Sequence, residues 1–145
     1  MKVPFVGVLV AALLAPAAAS AQDSRWHLQV SNQLDRYGSA LSDRGYQVSH
    51  DLRKGSLNDD EGEYFTLELD AGRAYAFVGV CDEDCTDLDL RLFGPDGAEV
   101  DSDLEADDYP VVEARPSRTA RYRVKVIMAT CSTSPCFYGV GVFAK

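Results

Sequence analysis

The sequence predicts a mainly β protein, an antiparallel β-sandwich of jelly-roll type with one N-terminal amphipathic helix. In the segment 87–93, DLDLRLF, residues 87–92 alternate strictly between polar side chains and leucine, which is the period of a half-buried strand. Residues 94–97, GPDG, follow with the composition of a reversing turn. About seven or eight short strands separated by such turns come after a single helical segment, a spacing typical of a sandwich.

The N-terminus has the three parts of a secretory signal peptide. Lys2 supplies a positive start, and residues 6–14 form an apolar run that is too short to cross a bilayer. The small residues at 19–21, ASA, match a cleavage site. We therefore predict a signal peptide over residues 1–21, a mature chain that begins at Gln22, and export to the periplasm or the extracellular space.

The composition is acidic, with 23 Asp and Glu against 14 Lys and Arg and a formal net charge of −9. Loss of Lys2 with the signal peptide makes the charge one unit more negative. Such a surface repels nucleic acid, and the sequence shows no basic stripe with interleaved aromatic residues. No segment after the signal peptide is long and apolar enough to span a membrane. Nucleic acid is therefore excluded as a partner, and no membrane span is predicted.

The chain has four cysteines, spaced as C-x3-C and C-x4-C. Four cysteines in an exported protein predict two disulfides, for which three connectivities exist. Zinc is the alternative for four thiolates, but these are not the usual zinc-finger spacings. The two short spacings favour two local bridges, Cys81 with Cys85 and Cys131 with Cys136.

The helical segment is predicted over residues 22–44. Its apolar residues recur at spacings of three and four, so they share one face. Asp23 or Ser24 can cap its start, and Gly45 can end it. The stripe could pack across the sandwich, which is our preferred interpretation, or bind a partner chain. Its members are Trp26, Val30, Leu34, Tyr37 and Leu41.

The sandwich is predicted over residues 45–145. Residues 75–80 are apolar on both faces, which suits a central strand. Pro110 cannot donate to a ladder, so residues 110–114 are expected at an edge. Gly139 and Gly141 lie inside the last strand and allow either close approach of another element or a bulge. The predicted strands cover residues 46–52, 65–69, 75–80, 87–93, 99–101, 110–114, 121–128 and 137–143.

An acidic cluster follows the first cysteine, and it is the strongest candidate for chemistry. Hard carboxylate oxygens gathered in one loop are what Ca²⁺ requires. The spacing lacks the pattern of an EF-hand loop. A solvated acidic loop held by a disulfide is the alternative, and it is our preferred interpretation. The candidate calcium ligands are Asp82, Asp84, Asp87 and Asp89.

Catalysis finds no support in the sequence, and we predict that the protein is not an enzyme. Neither His27 nor His50 lies in a recognisable catalytic motif, and no serine lies in a G-x-S-x-G elbow. His50 fits a core or rim position of the first strand. Aromatic residues such as Tyr64, Tyr75 and Phe137 could form a face for sugar or peptide, although strand aromatics more often form cross-strand pairs.

The strand series resembles the bacterial pre-peptidase C-terminal domain over residues 45–144. That resemblance implies a jelly-roll-like sandwich of the kind attached to secreted hydrolases, where it aids secretion, folding or substrate contact. Some relatives bind calcium, and the domain carries no catalytic residues. The matching segments are residues 64–67 (YFTL), 72–75 (GRAY), 87–97 (DLDLRLFGPDG), 120–126 (ARYRVKV) and 138–140 (YGV).

Two classes of function stay open at this point. The preferred one is a non-catalytic secreted or periplasmic binding module, whose partner is a protein or a polysaccharide and whose binding could depend on calcium. The alternative is a structural or interaction protein of the cell envelope that associates through its N-terminal helix. The sequence does not fix the oligomeric state.

Overall fold

A computed structural model describes the backbone of residues 18–145 and the side chains from residue 24 onward. The predicted signal peptide lies outside the described residues, apart from the backbone of residues 18–21. Within residues 18–145 the elements are α1 (Ala18–Ser42), β1 (Gln47–Val48), β2 (Arg53–Leu57), β3 (Glu61–Leu69), β4 (Tyr75–Cys81), β5 (Cys85–Phe93), β6 (Glu99–Asp103), β7 (Val111–Ala114), β8 (Ala120–Cys131) and β9 (Cys136–Ala144).

The strands form two antiparallel sheets. Sheet A has the order β1-β9-β4-β7, with β2 also paired to β9, and sheet B has the order β3-β8-β5-β6. The two sheets bury one continuous apolar core between them. The predicted mainly β sandwich with one helix is thereby confirmed, and β7 lies at a sheet edge as Pro110 predicted. The jelly-roll type stays a prediction.

The core between the sheets follows the alternation seen in the sequence. In the ladder between β5 and β8, Leu90 lies opposite Val126 and Leu92 lies opposite Val124. Every second residue of these strands is buried, so the predicted inward register is confirmed. The alternation predicts the buried residues correctly here because one face of sheet B packs on the core and the other does not. The fully buried residues of the two strands are Leu88, Leu90, Leu92, Val124, Val126 and Met128.

Helix α1 forms a third layer on the outer face of sheet A. Its residues Val30 and Leu34 are buried against Val78 and Phe143 of that sheet. This covering explains why all seven residues of β4 are buried. The apolar stripe of the helix is therefore used inside the chain, as the packing interpretation predicted, and it is not free to bind another chain.

The close approach of the helix depends on two glycines of β9. A Cβ atom at Gly139 would lie 2.4 Å from Cγ1 of Val30, and one at Gly141 would lie 3.2 Å from Cδ2 of Leu34. Any larger residue at these positions would push the helix outward. The close approach predicted for Gly139 and Gly141 is confirmed.

The ends of α1 differ in how well the sequence predicted them. Neither Asp23 nor Ser24 caps the helix, because α1 already includes residues 18–22 before them. At the other end, Gly45 terminates the helix, as predicted, just beyond its last residue Ser42. Gly45 has φ of 86°, its N–H donates to Ser42 O, and the N–H of Tyr46 donates to Leu41 O, which is a Schellman motif. No helix within residues 18–145 is long and apolar enough to span a membrane.

The first predicted strand, residues 46–52, is divided in two. Val48 pairs with Phe143, whereas Arg53 pairs with Val140, so the register changes between β1 and β2. The chain bends where the N–H and the hydroxyl of Ser49 both donate to Val142 O. Val48 is 74% exposed as a result, against the burial that its alternation predicted. These hydrogen bonds to a distant strand have overridden the period-two pattern.

Both predicted disulfides are present, Cys81 with Cys85 and Cys131 with Cys136. Cys85 lies directly opposite Cys131 in the ladder between β5 and β8. The N–H and hydroxyl of Ser132 both donate to Asp84 O. The two bridged loops therefore lie side by side at one end of the sandwich and are tied to each other.

Polar side chains close the two open sides of the sandwich. On one side, Asp101 of β6 accepts the N–H of Glu113 at 2.7 Å, and Asp103 accepts the N–H of Val111 at 2.8 Å. These carboxylates satisfy donors of β7 that no strand pairs. On the other side, the Tyr138 hydroxyl donates to Glu63, which also contacts Arg53. Burial and the carboxylate of Glu63 raise the pKa of Tyr138, so its proton stays in place.

Candidate functional site

Asp82, the first predicted calcium ligand, points into the protein. It is 2% exposed, and its two carboxylate oxygens accept the N–H of Phe137 at 2.8 Å and of Asp84 at 3.2 Å. Burial raises the pKa of Asp82, although both hydrogen bonds oppose that shift. The side chain joins the Cys81–Cys85 loop to β9, so its role is to hold the loop in place.

Asp87 and Asp89 lie together on the outward side of β5, as predicted, and both are half-buried. Burial raises the pKa of Asp87, with a further contribution from Asp107. Burial also raises the pKa of Asp89, followed by repulsion from Asp87 and Asp103. Oδ1 of Asp87 is buried without a hydrogen-bond partner. These two carboxylates are therefore only partly open to solvent, because residues 103–107 fold against them.

The four predicted calcium ligands do not converge. Asp82 points inward and accepts hydrogen bonds from backbone N–H groups, whereas Asp87 and Asp89 face away from the core. In the part of the chain that the structure describes, no three His, Cys, Asp or Glu side chains are arranged to hold a metal ion. The calcium site stays a prediction without a matching set of ligands.

The outer face of sheet B carries a different cluster, which we call the cation–aromatic ladder: Tyr64, Arg91, Phe93, Arg123 and Lys125. The guanidinium of Arg123 lies 4.7 Å from the ring centroid of Tyr64 and 5.4 Å from that of Phe93. Nζ of Lys125 lies 5.5 Å from the Tyr64 ring centroid. Arg123 thus lies over two aromatic rings from different strands, Tyr64 and Phe93, whose centroids are themselves 6.3 Å apart.

The register of sheet B brings these residues together. Lys125 of β8 lies opposite both Tyr64 of β3 and Arg91 of β5. Phe93 of β5 lies opposite Arg123. All five point outward because the residues between them face the core. The ladder therefore crosses three neighbouring strands, and Tyr64 remains 49% exposed on it.

The charges on this face are not balanced. Arg91 is paired with Glu99 at 2.6 Å, and that contact lowers the pKa of Glu99. Within residues 24–145, no carboxylate lies within ion-pair distance of Arg123 or Lys125. A chain with a net charge of −9 thus presents two unpaired cations beside a half-exposed tyrosine. Such a surface can bind carboxylate or other anionic groups.

Sequence reasoning missed this ladder. It placed Arg121, Arg123 and Lys125 on alternate positions of one strand, but it found no basic stripe with interleaved aromatic residues. The aromatic members come from β3 and β5, which are distant in sequence and become neighbours only through pairing with β8. The outward alternation of cations on β8 was the one available signal.

Ser49 and His50 form the one hydrogen bond between a serine and a histidine side chain in the described chain, and its geometry is structural. Ser49 Oγ lies 2.9 Å from Nδ1 of His50 and 3.1 Å from Val142 O. Nε2 of His50 lies 2.9 Å from the backbone oxygen of Glu68. Both side chains are thus hydrogen-bonded to backbone oxygens, Ser49 to Val142 of sheet A and His50 to Glu68 of sheet B. The pair therefore links the two sheets. His50 is a half-buried rim histidine, as predicted.

An open groove of about 660 Å³ runs between α1 and the β1 end of sheet A. Its apolar floor includes Leu34 and Phe143, and its rim carries Asp35 and Asp43 of the helix. The groove continues the seam of helix–sheet packing. Its polar groups lie along the rim and do not converge on a point where a ligand would be held.

No protein-family model matches the chain, and no curated protein matches it. Among solved structures, the chain is similar to Aeromonas hydrophila PliG, described as a periplasmic lysozyme inhibitor of g-type lysozyme. The two are 14% identical, the match covers 66% of this chain and 85% of PliG, and the TM-score is 0.49. A likeness this distant carries no information about function. The resemblance to pre-peptidase C-terminal domains stays a prediction.

Proposed function

We propose that this protein is an exported, non-catalytic binding module that contacts its partner through the outer face of sheet B. The observation that carries the proposal is Arg123, whose guanidinium lies over the rings of both Tyr64 and Phe93 with no carboxylate of the described residues within ion-pair distance. Tyrosine and arginine are the residues that most often dominate binding energy at protein interfaces. An uncovered sheet face that displays both is a suitable recognition surface.

Binding fits the described polar groups better than catalysis does. The carboxylate of Asp82 accepts hydrogen bonds from backbone N–H groups, and the side chains of Ser49 and His50 are hydrogen-bonded to backbone oxygens. The Tyr138–Glu63 pair closes one side of the sandwich, and the raised pKa of Tyr138 makes it a poor base. Each candidate for acid–base chemistry thus has a structural task, whereas Arg123 and Lys125 have none within the fold.

Export is supported by the two disulfides together with the predicted signal peptide. Disulfides persist in oxidising compartments and are rare in the cytosol. The protein acts in the periplasm or outside the cell, where its partner must also be found. The proposed binding does not require a cofactor.

Mapping by NMR tests the proposed binding face. Poly-glutamate or polygalacturonate is added to the labelled protein, and poly-lysine serves as the control of opposite charge. At least one anionic polymer should shift amide signals of Thr66, Arg91 and Arg123 in sheet B. Poly-lysine should leave these signals in place, because Arg123 and Lys125 repel it.

The groove beside α1 provides the internal comparison. Amide signals of Ser39 and Val48, which line that groove, should not move with the anionic polymers. Shifts that map to the groove and spare sheet B would contradict the proposed face. An absence of shifts with both anionic polymers would contradict it as well.

A further inference from the structure

We propose that the cation–aromatic ladder binds an extended acidic segment of a partner protein, whose carboxylates contact Arg123 and Lys125. This inference rests on the proposed binding face and names the chemistry of its partner. It draws on three observations: the contact of the Arg123 guanidinium with two aromatic rings, the spacing of the cations along β8, and the presence of cations over the faces of the aromatic rings.

Arg123 is prepared to bind a carboxylate. Its guanidinium lies over both Tyr64 and Phe93, at 4.7 Å and 5.4 Å from their ring centroids. Contact with two rings restricts the side chain, so less conformational entropy is lost when a ligand binds. The N–H groups at the edge of the guanidinium can still form the two parallel hydrogen bonds that a carboxylate accepts.

The cations on β8 repeat at the period of an extended chain. Arg121, Arg123 and Lys125 occupy alternate positions and point to the same outward side. Residues two apart in a strand are separated by roughly 6.8 Å. A partner segment in extended conformation, with acidic residues at alternate positions, repeats at the same distance. Its carboxylates could therefore meet successive cations without distortion of either chain.

The aromatic rings are poorly placed for a sugar. Polysaccharides bind proteins by stacking sugar rings on free aromatic faces. Arg123 and Lys125 both lie over the Tyr64 ring, while Arg91 and Arg123 lie 5.8 Å and 5.4 Å from the Phe93 ring centroid. The cations occupy the space that a stacked sugar needs. An acidic polypeptide is therefore favoured over an acidic polysaccharide.

Fluorescence anisotropy at low salt, with the folded full-length mature protein, tests the inference. The probes are a labelled peptide of alternating Glu and Ser, a peptide of the same composition with all Glu residues in one block, and an oligogalacturonate of equal charge. The alternating peptide should bind most tightly. Arg123→Gln should weaken its binding by about tenfold, the effect expected from loss of one charge-assisted pair.

Two variants separate recognition from general charge. Arg36→Gln makes the same charge change on the exposed side of α1, where Arg36 bonds only Asn32 O of its own helix, and it should leave the affinity nearly unchanged. Arg123→Lys keeps the charge but loses the planar group, so it should still weaken binding. Equal losses for Arg123→Gln and Arg36→Gln would overturn the inference, as would equal affinity for the alternating and block peptides.

The probes also separate this inference from the proposed function. If oligogalacturonate binds and is lost with Arg123→Gln while neither peptide binds, the face is a binding face but the partner class is wrong. If no probe responds to Arg123→Gln, the binding face itself is wrong. Circular dichroism of each variant confirms that the fold is retained.

Discussion

The outer faces of the two sheets differ in what covers them. On sheet A, small and apolar residues of β4 and β9 point outward and are buried under α1. On sheet B, the outward residues of β3 and β8 are mostly polar or charged, and Tyr64, Thr66 and Arg123 remain exposed. The inner faces of both sheets are equally apolar, because they share one core.

This difference shows how the chain divides stability from recognition. The outward face of sheet A needs a cover, since its apolar residues and Gly139 and Gly141 would otherwise meet water. The helix supplies that cover and is then no longer available for a partner. The outward face of sheet B makes no such demand, so Tyr64 and Arg123 are free to serve recognition. Substitutions on the two faces should therefore have opposite consequences.

The largest contrast is expected between Leu34→Ala and Arg123→Ala. Leu34 is 5% exposed in the helix–sheet seam, and its truncation should lower the free energy of unfolding by about 2–5 kcal/mol. Arg123 is exposed and touches only ring faces, so its truncation should cost no more than about 1 kcal/mol. Urea denaturation of the two variants measures both values. Similar losses would show that the two faces do not differ in their importance for stability.

The glycines of β9 provide the next test. Gly139→Ala places a Cβ atom 2.4 Å from Cγ1 of Val30 and 3.1 Å from Cδ1 of Leu34. The overpacking should cost about 1–3 kcal/mol. The single tryptophan, Trp26, is buried in α1, so its fluorescence reports the displacement of the helix.

A second substitution makes this test specific. Val30→Ala removes the atom that the new methyl group would meet, so the double variant should lose less stability than the two single losses added together. Thr66→Ala on sheet B is the matched surface control and should change stability by no more than about 0.5 kcal/mol. Strict additivity of Gly139→Ala and Val30→Ala would argue against a direct clash.

On the uncovered face, Asp87→Asn should stabilise the protein at neutral pH. Burial raises the pKa of Asp87 above its ordinary value of 3.8, and Asp107 adds to the shift. At pH values between the ordinary and the raised pKa, the Asp87 carboxyl group is therefore protonated in the folded protein and ionised in the unfolded chain. The stability linked to that proton is fully present below the ordinary pKa and is lost as the pH rises through the folded-state pKa.

Asparagine does not titrate, so the variant does not lose this stability. The gain in free energy of unfolding from Asp87→Asn should therefore grow with pH above 3.8 and then level off. Urea midpoints measured across this range give the result. Asp51→Asn, an exposed substitution outside the cluster, is the control for the change in net charge. A gain that does not depend on pH would mean that burial of the charged carboxylate is not its cause.

The smallest effect is expected for calcium. Both oxygens of Asp82 are occupied by backbone N–H groups, so the cluster lacks one of its predicted ligands. The melting temperature should be the same in calcium and in chelator. A ligand that binds only the folded state at a hundredfold excess over Kd would add about 2.7 kcal/mol. A clear rise in melting temperature with calcium, lost in Asp87→Asn with Asp89→Asn, would restore the predicted site.

Local patterns predicted the parts of the fold whose cause is local. The alternation in β5 and β8 predicted which residues enter the core, because one face of each strand is apolar and the other is not. The short cysteine spacings predicted both disulfides, and Gly45 predicted the end of the helix. The strand over residues 46–52 was predicted wrongly, because the hydrogen bonds of Ser49 to β9 depend on a partner nearly a hundred residues away.

The sequence by itself determined the sandwich class, the inward faces of its strands, the disulfides and the stripe of the helix, since each follows from neighbouring residues along the chain. Only the tertiary structure decided which sheet the helix covers and which face stays open. It also turned Asp82 inward and placed Arg123 over the rings of Tyr64 and Phe93. These features depend on which strands pair and in what register, and that choice is made by the free energy of the whole packed chain.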